Sequence, residues 1–86
     1  MNAIQALTKE IEKTGLPATT IAYSNKLSAL SQSASSIDGN QRIAVYDEYV
    51  RINTILNLLV VVQGGPSKKP ETFESFYGLP EQQNLL

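Results

Sequence analysis

An all-α fold, with two shorter helices against a longer third and a C-terminal arm, is predicted for this 86-residue chain by three observations. Apolar residues recur at helical spacing in three separate segments. Capping residues, Pro and Gly punctuate those segments. Only one short stretch, Leu58–Val62, could be read as a strand, because Val60-Val61-Val62 is β-branched. A lone strand has no partner within its own chain and would demand an intermolecular sheet. As a helix, the same residues simply extend the third segment, and that is the expectation.

The first helix is expected over Ala3–Thr14. Ile4, Leu7 and Ile11 form its apolar line, with Lys9, Glu10, Glu12 and Lys13 on the other face. Asn2 and Gln5, three residues apart, read as a capping box in which each side chain accepts the other residue's backbone N–H. Gly15 is expected to end the helix in the left-handed conformation. Pro17 suits the first turn of the second helix, where its missing N–H costs nothing. Ile21, Leu27 and Leu30, supported by Ala18, Ala22, Tyr23 and Ala29, carry that helix to about Ala34. Its end is soft, since the Ser-rich run from Ser31 to Ser36 competes for its own backbone bonds.

Asp38-Gly39-Asn40-Gln41 combines a turn with a second capping box, Asp38 as N-cap and Gln41 three residues on. The third helix then runs from about Asn40 to Val62, roughly 33 Å at 1.5 Å per residue. Val45, Tyr49, Ile52, Leu56 and Leu59 recur at four-three-four-three spacing, the pattern of a heptad seam, and Tyr46, Val50, Ile55 and Val62 widen it. From Ile55 to Val62 too few polar residues remain to face water on any side, so this segment must be covered. Asn53 and Asn57 are i, i+4 neighbours on one flank. They read either as a buried pair that sets register or as the helix's wet side, the latter being the expectation.

Gly64-Gly65-Pro66 stops the third helix and divides the chain into a helical domain, 1–63, and an arm, 64–86. Within the arm, the stretch from Pro70 to Pro80 carries the punctuation of a two-turn helix with Phe73, Phe76 and Tyr77 on one face. Such a helix is too short to persist alone in water. It must dock, with Leu79 and the terminal Leu85-Leu86 as further apolar anchors, either by folding back over the third helix or by reaching a groove on another molecule.

The composition excludes several kinds of chemistry. Without Cys or His there are no disulfides, thiol nucleophiles, imidazole bases or common zinc constellations, and no cofactor or metal is expected. Seven basic residues against eight acidic ones are spread evenly, so the block of positive charge that neutralises phosphates is missing and nucleic acid is not the expected partner. Tyr46, Asp47, Glu48 and Tyr49 could suggest acid–base work, but adjacent helical residues point about 100° apart, and Glu48 is better placed to pair with Arg51 at i+3. Gly64-Gly65 lacks the Lys-Ser/Thr pair of a nucleotide loop. The apolar stretch after Arg51 is about 11 residues long, against about 20 for a membrane span. Met1–Lys13 does not read as a secretory signal, which favours a cytoplasmic protein over an exported one.

These readings converge on a non-enzymatic assembly or adaptor protein that forms a homo-oligomer or docks on a protein partner. Its contact residues are expected to be Val45, Tyr49, Ile52, Leu56, Leu59 and Val62 of the third helix and Phe73, Phe76, Tyr77 and Leu79 of the arm. One alternative is a small helix-turn-helix DNA-binding regulator. It lays Leu7–Leu27 over that motif, with Gly15 at the turn, Ile21 buried, and Thr19, Thr20, Tyr23, Asn25 and Lys26 facing bases. Pro17 in the turn, Ile11 where a small residue is usual and Ser24 where an apolar one is wanted fit it poorly. A further alternative is an inhibitor or immunity-type protein that binds one specific protein partner.

Overall fold

The computed structural model describes residues 2–80 and is all-α, with no strand among them. The predicted anchors Leu85 and Leu86 lie outside the described residues. Helix α1 (Ala3–Thr14) begins with the expected capping box: Gln5 N–H donates to Asn2 Oδ1 at 2.8 Å, and Asn2 N–H donates to Gln5 Oε1 at 3.1 Å. Its end differs from expectation. Gly15 has φ 92 and ψ 150, an extended positive-φ conformation reserved for glycine, and not the left-handed helical one. The physical reason is lack of room. A left-handed helix end takes up two residues beyond the helix, whereas α2 (Leu16–Ser33) starts at the very next residue. Gly15 serves both helices, its N–H donating to Ile11 O at 2.8 Å and its carbonyl accepting Thr19 N–H at 3.0 Å and Thr19 Oγ1 at 2.8 Å.

The soft end predicted for α2 is a 3-10 turn, Ala34–Ser36. The start of α3 (Arg42–Val62) is later than expected, and the predicted capping box is not formed. Asp38 is extended but its side chain caps nothing. The first turn, Gly39–Gln41, is wound instead as a 3-10 helix, with Gln41 N–H donating to Asp38 O at 2.9 Å. This i+3 backbone bond satisfies one of the orphan donors that a side chain would otherwise serve. Beyond Arg42 the α ladder is unbroken, so Leu58–Val62 is helical. The helix closes in a Schellman motif: Gly64 N–H donates to Val61 O at 3.0 Å and Gly65 N–H to Val60 O at 2.9 Å.

Helices α2 and α3 form an antiparallel pair. Gln63 at the end of α3 donates to Thr20 Oγ1 near the start of α2 at 2.8 Å. At the opposite end, Ala34 joins Tyr49 in the core. The inner face of α2 is Thr19, Tyr23, Leu27 and Leu30, and Thr19 is fully buried at 0% exposure. Ile21, expected on that line, is exposed. Six residues before Leu27 is about 240° around a helix, off the inner stripe. Helix α1 packs on α2.

The arm supplies the last element. Helix α4 (Phe73–Tyr77) is shorter than predicted, because Pro70 belongs to the extended segment before it and Thr72 is the cap, accepting Ser75 N–H at 3.1 Å. Gly78, left-handed at φ 69 and ψ 27, ends the helix with Leu79 N–H donating to Glu74 O at 2.8 Å. Its aromatic face folds back onto the chain's own helices. The core is built from Ala34, Tyr49, Phe76 and Tyr77, ringed by residues such as Leu27, Leu30, Val45, Tyr46 and Phe73.

Candidate interaction surfaces

One stripe of α3 reads the backbone of the arm. Tyr46, Tyr49, Asn53 and Asn57 follow each other at spacings of three or four, so they share a face beside the inner seam. Asn57 donates through Nδ2 to Lys68 O at 2.6 Å and accepts Lys68 N–H at 2.9 Å, while Asn53 Nδ2 donates to the same carbonyl at 3.3 Å. One and two turns earlier, Tyr49 Oη accepts Glu71 N–H at 2.9 Å and Tyr46 Oη donates to Glu71 O at 2.7 Å. The extended strap from Lys68 to Glu71 therefore runs antiparallel to α3. Asn53 and Asn57 are neither a register pair nor a wet flank: they replace the hydrogen bonds that an extended backbone would find in a sheet.

The strap delivers α4 to an aromatic cluster. Phe76 sits 4.5 Å from Tyr49, 4.8 Å from Tyr77 and 5.9 Å from Tyr46, ring centre to ring centre. Phe73 closes the other side, 5.5 Å from Tyr46 and 4.9 Å from Tyr77. These separations lie in the favourable range for aromatic pairs. Tyr77 Oη donates to Arg42 O at 2.5 Å, and the Arg42 guanidinium stands 5.3 Å from the Tyr77 ring centre. Burial pushes the Tyr46 and Tyr77 phenols above their ordinary range. The nearby Tyr49, Glu74, Asp47 and Glu71 add to the effect at Tyr46, and Arg42 opposes it at Tyr77.

Glu48 and Arg51 form the predicted surface pair at 2.6 Å. A groove of about 490 Å³ lies between α2 and α3 beside the strap, lined by apolar Leu27, Leu56 and Val60 and by polar Ser24, Ser28, Asn53 and Asn57. Lys68 is its one charged lining residue, so no acid–base pair meets there. No group of potential metal ligands occurs among the described residues. No helix among them is long and apolar enough to cross a membrane.

Of the residues predicted to make contacts, Tyr49, Ile52, Leu59, Phe76 and Tyr77 are buried inside the chain itself, and Val45, Leu56, Phe73 and Leu79 are half-buried. Val62 stands apart at 69% exposure. The four-three alternation explains the difference. Continued one step past Leu59 it reaches Gln63, which is the residue that contacts α2, and leaves Val62 off the seam.

The uncovered apolar surface lies on the outer stripe of α3. Ile43, Asp47, Arg51, Thr54, Leu58 and Val61 follow at spacings of three or four and are all exposed. The stripe is polar in its middle, then turns apolar over the last two turns, where Leu58 is 58% and Val61 50% exposed. No charged residue occurs between Arg51 and Lys68. Helix α1 is joined to this end through Gly15, and its apolar line begins at Ile4, which is 76% exposed. The sequence signal for this surface was present: Leu58 and Val61 lie opposite the seam at helical spacing. It was hidden because an all-round apolar segment marks no face. No protein-family model, curated protein or solved structure matches the chain.

Proposed function

We propose that this is a non-enzymatic assembly or adaptor protein that docks on protein through the apolar end formed by Leu58, Val61 and Val62 of α3. The observation that carries the reading is the change in α3's outer stripe from Asp47, Arg51 and Thr54 to a charge-free apolar end. Single exposed apolar residues need no explanation, whereas three on the last two turns of one helix with no charge among them support a docking surface. In this reading the arm takes the first of the two courses its sequence allows and folds back on its own chain. Its aromatics complete the core and its strap locks α3, which leaves the opposite end of α3 as the docking surface.

The DNA-binding alternative gains no support. A helix-turn-helix joins its helices through a turn of three or four residues, whereas Gly15 alone connects α1 and α2. The docking reading is tested with Val61→Glu, an exposed site at which the fold should tolerate a charge. The wild type is expected to bind an environment-sensitive apolar dye or to associate, and the variant to do neither while keeping its circular dichroism and thermal midpoint. A wild type that neither associates nor binds the dye refutes the reading.

A further inference from the structure

We infer that the α3 face beneath the arm also accepts the arm of a second copy, and that Gly64 decides which of the two it holds. This goes beyond the docking reading and does not depend on the apolar end of α3. The arm reaches its seat through a hinge, Gly64 to Ser67, that takes little part in the fold. Among the described residues, its hydrogen bonds are the two that close α3, from Gly64 N–H to Val61 O and from Gly65 N–H to Val60 O. Everything that holds the arm lies beyond the hinge. Tyr46, Tyr49, Asn53 and Asn57 bond backbone atoms of Lys68 and Glu71, the Arg42 carbonyl accepts Tyr77 Oη, and Phe76 packs on Tyr46 and Tyr49. All of these contacts join residues 42–57 to residues 68–77, so each forms equally well when the two segments belong to different copies. An empty seat is not a stable alternative, because Phe76 and Tyr77 supply half of the buried core cluster.

The seat is filled from the same chain because the backbone reverses at once after α3. Lys68 lies beside Asn57, 11 residues earlier, on the helix the chain has just left. Gly64 makes that reversal with φ 89. A Cβ at Gly64 would meet no atom within 4 Å, so backbone conformation and not space is what reserves the position for glycine. With the turn in place, the chain's own arm is present at roughly millimolar effective concentration. A second copy in dilute solution does not compete with that. A residue that resists positive φ removes the advantage. The four hinge residues then extend over at most about 14 Å and carry the arm to the equivalent face of a neighbour, which returns the contact. Two-fold exchange of this kind leaves no seat empty and no arm loose.

Gly64→Val, a β-branched residue that resists positive φ, tests the exchange in the full chain by sedimentation over a wide concentration range. Parent and variant both carry Val61→Glu, which silences the docking surface, so that failure of either reading leaves the other untouched. The parent should keep its arm on its own chain. The Gly64→Val variant should dimerise at concentrations at least about thirtyfold lower, since both protomers escape the strained turn. Its Lys68 and Glu71 amides should stay protected from hydrogen exchange as they are in the parent. In a dimer assembled from equal parts of isotope-labelled and unlabelled chain, intermolecular nuclear Overhauser contacts should join Phe76 of one copy to Tyr49 of the other, whose rings stand 4.5 Å apart when the arm is seated. Gly64→Ala, which resists positive φ less, should fall between parent and valine variant and keeps the test decisive if the latter fails to fold. A folded variant that stays monomeric, with its arm either protected or loose, overturns the inference, and so does a dimer without the Phe76 to Tyr49 contacts.

Discussion

Phe76 is where the fold is most open to measurement, because one side chain joins the arm to the helical pair. It is 6% exposed and its ring meets Tyr46, Tyr49 and Tyr77. Truncating a buried Phe to Ala removes its transfer free energy and leaves a cavity, about 3–5 kcal/mol in total. A chain of 86 residues has roughly 4–13 kcal/mol of stability altogether, so Phe76→Ala should remove a large share of it or unfold the protein. Phe76→Leu, which keeps most of the volume, should cost about 1–1.5 kcal/mol and keeps the measurement possible if the Ala variant fails to fold. Urea unfolding followed by far-ultraviolet circular dichroism reads both, at a slope of about 1 kcal/mol/M for so short a chain.

The same logic predicts a coupling. Tyr49→Phe removes the hydroxyl that accepts Glu71 N–H and should cost about 1 kcal/mol in the wild type. In a Phe76 variant that releases the arm it should cost much less. A loss below about 1 kcal/mol for Phe76→Ala, or a Tyr49→Phe cost that is identical in both backgrounds, would refute the view that strap and helix act as one latch on the chain's own core.

Four other outcomes follow. Asn57→Ala should cost about 1 kcal/mol and strip hydrogen-exchange protection from the Lys68 amide, whose N–H the asparagine accepts. Gly65→Ala should destabilise by about 1–3 kcal/mol, since a Cβ there would stand 2.5 Å from Val60 Cγ1 and 3.3 Å from Val60 O. Gly39→Ala, with open space around it and no positive φ, should be neutral or stabilising by about 0.4–1 kcal/mol in the same urea assay. Stability should hold up to about pH 10 and fall above it. The folded state raises the phenol pKa of Tyr46 and Tyr77, so the unfolded chain releases those protons first as pH rises. The Tyr46→Phe/Tyr77→Phe double variant should show a shallower alkaline loss, and an unchanged slope would show that these phenols do not cause it.

Local signals in this chain act over three or four residues, and those were legible. The Asn2–Gln5 box, the break at Gly15, the stop at Gly64-Gly65 and the Val45–Leu59 seam all depend on spacing along the backbone, so sequence alone determined that these helices form and where most of them stop. Where two local solutions competed, as at Asp38, the tighter 3-10 turn replaced the side-chain cap. The destination of the arm was not decided locally. Phe73, Phe76 and Tyr77 would suit a groove on another molecule as well as the face of α3, and what holds them in place is a set of bonds from Tyr46, Tyr49, Asn53 and Asn57 across 11 to 25 residues of chain. Tertiary structure likewise decided which side of the apolar helix stays open. A segment that is greasy all round has no preferred face of its own, and only the placement of α2, the strap and α4 on one side leaves Leu58, Val61 and Val62 on the other.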